Sequence, residues 1–162
     1  MFALKGREGK VCTISAMIQV FFCMMFSYPD QSGLLYDLRL IPLVITGLYG
    51  GFWPLLSLFA FTVLMRIPFG GSGVEFSVFM TLSAFLAILL SNRHYHTLRL
   101  AGKLTLVAGI AFLYAGLFIL IKAFYFQIDL EMSHSAIYGL TLSIGLVIAV
   151  YTMEIIKQNR LL

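Results

Sequence analysis

Four ionisable side chains stand out because of where they fall. Asp37, Arg39, Arg66 and Glu75 lie inside or beside apolar runs, and an ionisable group near membrane depth is costly enough to be a functional candidate by default. An arginine offers five donors in a fixed fork and can hold a carboxylate or a phosphate by two parallel bonds. Two such groups at one level could capture a small anion, and Ser77 would add a hydroxyl. A structural reading stands beside this one: Asp37 and Glu75 neutralise Arg39 and Arg66 and lock helices together, the arginine stems reaching toward the interface. Asp37 and Arg39 are two apart and do not face each other on a helix, so their partners belong to other helices. The two readings are compatible.

Other chemistry finds little support. No nucleophile with an adjacent base, Walker loop or kinase phosphate motif occurs, so catalysis by this chain is not expected. Gly70, Gly71 and Gly73 lack the lysine and the strand-to-helix setting of a phosphate loop and read as a turn. His94 and His96 alternate in a basic segment without a further ligand nearby, so neither a metal nor a cofactor is expected. Cys12 and Cys23 share one apolar run, about 16 Å apart along a helix, and cannot bridge each other within it.

The elements that must position the charged residues follow from composition. The chain has 162 residues, 60% hydrophobic and 11% charged, whereas about a quarter of a soluble domain is charged. That balance excludes a water-soluble globule and a disordered chain. The net charge of +4 is spread between apolar runs, which argues against a nucleic-acid partner. At about 20 apolar residues per crossing, the length accommodates an all-α polytopic membrane bundle of six transmembrane helices with no soluble domain. The expected spans are 11–28, 35–50, 52–67, 74–91, 104–126 and 136–153. The first resembles a signal peptide but is too long and lacks a cleavage site, so it reads as an uncleaved span.

The second and third spans form a short hairpin split by Gly50 and Gly51, glycine supplying the freedom of a tight turn. Pro54 fits the first helical turn beyond them. If that turn is the cytoplasmic tip, equal helical rise brings Arg39 and Arg66 to similar heights near the outer end. Asp37 sits a turn or less above Arg39, and Glu75 enters span four just after the glycine loop. Charge sets the orientation: Lys5, Arg7, Lys10, Arg93, Arg99, Lys103, Lys157 and Arg160 fall on one side, against Arg39, Arg66 and Lys122 on the other. By the positive-inside rule both termini are cytoplasmic.

Packing in lipid depends on small residues. Ala111 and Ala115, Gly139 and Ser143, and Gly145 and Ala149 are each four apart and share a helix face, which points to close helix packing within the bundle or to a dimer contact. Cys12, Ser15, Gln19 and Cys23 form a small and polar stripe expected to face the bundle, because Gln19 would be costly against lipid. Trp53, Tyr28, Tyr36, Tyr49 and Tyr151 lie near span ends, as in an interfacial aromatic belt.

The order Asp37-Leu-Arg39, Leu48-Tyr-Gly50-Gly51, Arg66-Ile-Pro-Phe-Gly70-Gly71 resembles the membrane receptor region of the LytS type, found ahead of bacterial sensor histidine kinases and some diguanylate cyclases. The motifs cover about 40 residues, and the six-span layout extends the likeness over nearly the whole chain. The resemblance implies a multi-pass protein of the bacterial cytoplasmic membrane and a role in a two-component phosphorelay. It matches Arg39 and Arg66 to arginines that in some members recognise small carboxylates such as pyruvate; other members are linked to cell-wall and autolysis control. The ending from Tyr151 to Leu162 looks like the exit helix of a Bacillus-type kinase, where the catalytic part normally begins. A kinase domain or a separate partner kinase is therefore expected on the cytoplasmic side, and a homodimer by analogy. The competing expectations are a substrate-capture subunit of a vitamin importer, disfavoured by a first span without small-xxx-small pairs, and a structural membrane protein.

Overall fold

Alanine and glycine decide how closely the last two long helices meet. In the computed structural model, which describes residues 7–29, 35, 36, 38–69, 73–125 and 132–160, α5 (Leu100–Tyr125) and α6 (Met132–Arg160) pack along each other. Ala111 and Ala115 are buried there, and a Cβ added to Gly139 would stand only 3.1 Å from that of Ala115. The small-residue pairs of spans five and six therefore serve packing within the chain. Gly145 does the same toward α2 (Leu40–Ile45), where an added Cβ would come within 2.9 Å of Ile41 Cδ1.

The helix α1 (Arg7–Met25) buries Ala16, Val20 and Met24, one residue per turn. Two short extended segments come next, β1 (Tyr28–Pro29) and β2 (Leu35–Tyr36), paired antiparallel with Tyr28 opposite Tyr36. Leu35 and Tyr36 are thus extended, and the helix expected over 35–50 begins at Leu40. It then continues as a π-helical turn over Thr46–Gly50. Gly51 ends the turn at φ 90°, a backbone region that side chains disfavour and glycine tolerates. The helix α3 (Phe52–Phe69) starts at once, with Pro54 in its first turn, and runs one residue beyond Pro68. The helix α4 spans Val74–Tyr95.

The short α2 with its turn packs against α1, α3, α4 and α6, while the longer helices pack in the series α1–α3–α4–α5–α6. An 11-residue element of about 16 Å is thus the buried centre of the bundle, and Leu40, Leu43, Val44 and Leu48 on it are all fully buried. Apolar residues also cover the outside: Leu90, Leu113 and Phe124 are 76%, 74% and 80% exposed. In water such a surface would be an aggregation hazard; against lipid it is the ordinary exterior. Two buried threonine hydroxyls are satisfied within their own helices, Thr62 donating to Leu58 O and Thr81 to Ser77 O, each at 2.7 Å, as apolar surroundings favour.

Among the described residues, three helices, Val74–Tyr95, Leu100–Phe124 and Ala136–Asn159, are long and apolar enough to cross a membrane. Val11–Met25, Leu40–Gly50 and Phe52–Pro68 are shorter apolar helices.

Candidate functional site

Arginine is rarely buried unless something else holds its charge. Arg39, the N-cap of α2, and Arg66, in the last turn of α3, are only 4% and 2% exposed. Ser77 lies in the opening turn of α4, is buried, and its Oγ makes no hydrogen bond among the described residues. The end of α3 and the start of α4 are joined by a short link, so Arg66 and Ser77 belong to one end of the bundle. Glu75 is exposed in the first turn of α4, where an acid is favourable beside the helix N-terminus. Asp37, Gly70 and Gly71 lie outside the described residues. Gly50 is buried in the π turn, and Gly51 carries the turn. Lys122, in the last turn of α5, is a third buried cation, and the direction of α5 places it at the same end as Ser77.

The opposite end holds a polar cluster built from four elements. Tyr49 on the π turn donates to Glu154 Oε1 on α6 at 2.8 Å and shares a 2.6 Å bond with Tyr95, the last residue of α4. Lys103, in the first turns of α5, reaches Glu154 Oε2 at 2.9 Å and stands 5.1 Å from the centre of the Tyr95 ring. Tyr95 also approaches Oε1 at 3.3 Å. One proton order satisfies the set: Tyr95 donates to Tyr49, Tyr49 donates to the carboxylate, and the ammonium holds its other oxygen. Both charged side chains are about nine-tenths buried, at 10% and 8% relative exposure, a setting in which a charge needs its partners. His96, just past α4, packs edge-on to Tyr95. Burial pushes its imidazole below the ordinary value, and the charges of Lys157 and Lys103 add to the effect.

Sequence reasoning missed this cluster. The position of Tyr49 near a span end suggests an interfacial belt, but the residue is half-inside the bundle, whereas Trp53 and Tyr151 are exposed as a belt requires. The available signal was Glu154, the one acid of α6, set between apolar neighbours. The stripe on α1 is a correction. Gln19 and Ser15 point outward, because Ala16, Val20 and Met24 are the residues small or flexible enough to seat α1 on its neighbours.

Apolar helices inside and out, with ionisable groups held at both ends of the bundle, are the features of a helical membrane domain. The family model described as the 5TMR of 5TMR-LYT matches residues 7–158, and the chain belongs to this family of membrane receptor domains. Domains of the family are the membrane sensor input regions of histidine kinases. Neither a curated protein nor a solved structure matches the chain.

Proposed function

We propose that the chain is the signal-sensing input module of a two-component phosphorelay, lying in the bacterial cytoplasmic membrane with both termini in the cytoplasm. The short helices complete six crossings by packing beside the long ones. The ligand is a small extracellular carboxylate, and the output passes through α6 to a kinase domain or a partner kinase, within a homodimer. One observation carries the reading: two guanidinium groups are buried in an apolar bundle at 4% and 2% exposure. Such groups are costly to keep there, and a carboxylate is the chemistry they match bidentately. Ser77, with its buried hydroxyl, supplies a further donor, while Asp37 and Glu75 set the charge of the mouth. A ligand shifts the bundle only by binding its two arrangements unequally, so the relay requires that α2 and α3, which carry the arginines, move on binding.

The test is calorimetric titration of the purified chain in lipid nanodiscs with pyruvate, lactate and acetate. Arg39→Lys and Arg66→Lys keep the charge and lose the two-pronged geometry, so each should weaken binding by about tenfold. Equal affinity in these variants and in Arg39→Ala and Arg66→Ala would remove the site.

A further inference from the structure

The cluster around Glu154 joins the helix expected to leave the bundle to the element at its centre. We infer that Glu154, Tyr49, Tyr95 and Lys103 form a clasp through which movement of α2 is passed to α6. The inference rests on the sensing reading for the force that displaces α2, and on the geometry for the response of α6.

Three features make the cluster a joint as well as an adhesive. Arg39 and Tyr49 are the two ends of one short element, about 15 Å apart at helical rise, so a displacement of the arginine end tilts or slides the tyrosine end. Beneath Tyr49 the turn is closely packed: Gly47 lies against Ile88 of α4, and a Cβ there would overlap the Ile88 Cγ2, so a displacement of the turn presses on α4. Glu154 then transmits it: the carboxylate takes the Tyr49 hydroxyl on one oxygen and Lys103 on the other. Losing either partner leaves a buried charge short of hydrogen bonds, so the bonds break and re-form as a set. The α6 segment beyond Glu154, Ile155–Arg160, inherits the position that the clasp allows.

The experiment tracks amide hydrogen exchange over 154–160 of the full chain in nanodiscs, with Tyr49→Phe and Glu154→Gln as variants. Tyr49→Phe keeps the ring and its packing, so it isolates the hydroxyl. Both variants should accelerate exchange over this segment by about tenfold, the effect of one lost buried hydrogen bond. Unchanged exchange in both overturns the clasp. A second arm adds pyruvate. In the wild-type chain it should alter exchange over 154–160; in Tyr49→Phe that response should vanish while calorimetry still detects pyruvate binding, its affinity changed by no more than the coupling that is lost. A full response in Tyr49→Phe overturns the joint. A wild-type chain that binds neither pyruvate, lactate nor acetate overturns the carboxylate reading alone, and the exchange arm still decides the clasp.

Discussion

The two ends of the bundle treat charge in opposite ways. At the Glu154 end, one acid is met by a lysine and a tyrosine at 2.8 to 2.9 Å, with a second tyrosine behind. At the other end, Arg39, Arg66 and Lys122 are buried, while the acid described there, Glu75, is exposed. A buried acid held by a lysine and a tyrosine rigidifies the elements that carry them, and an end rich in buried cations suits an incoming anion. On the proposed reading, the cation-rich end takes the ligand, and the Glu154 end holds the arrangement that binding must disturb.

The largest effect that would sharpen this contrast is expected from Lys103→Met. Removing one member of a buried ion pair strands Glu154, and thermal unfolding in detergent should show a loss of about 3 kcal/mol. Glu154→Gln should cost less, because the stranded ammonium of Lys103 can reach toward the interface on its flexible stem while the amide oxygen still accepts from Tyr49. Gly139→Leu comes next. It presses α6 away from Ala115, and the same measurement should report a loss of about 1–3 kcal/mol with no preference between the two ends. Ser77→Ala should leave stability almost unchanged and weaken carboxylate binding by about threefold to tenfold in calorimetry. A destabilised chain with intact affinity would make Ser77 part of the scaffold and blur the distinction. The smallest effect concerns His96. Burial and the neighbouring lysines lower its folded value from the ordinary one, so the unfolded chain takes up the proton first. Stability is full above about pH 6.5 and declines as the pH falls through the window below it. His96→Gln should flatten that slope, as read from unfolding curves collected across pH.

Much of the helical layout was legible because lipid leaves few options. Gly51 marked the break before α3, and the alanine and glycine pairs marked faces of close helix packing, since both depend on local chemistry that a sequence displays. Rotation about the helix axes escaped. Polarity alone would turn Gln19 inward, yet the inward face of α1 is set by the side chains that fit, Ala16, Val20 and Met24. The Glu154 cluster joins residues 46, 59 and 105 positions apart, and no periodicity links them. Burial of Arg39 and Arg66 agrees with the cost assigned to their charge, while the central place of α2 was hidden because an apolar run reads alike whether it meets lipid or other helices.

The π turn at Thr46–Gly50 carries one consequence for the evolution of the domain. Such turns replace the usual i→i+4 spacing with i→i+5, so deleting a single residue there would restore regular winding and swing Tyr49 by about 100°. Hydropathy and helix number would be untouched by that deletion. Two relatives of the same apparent topology could then differ in whether their final helix is tethered at all, and the length of this one segment would tell them apart.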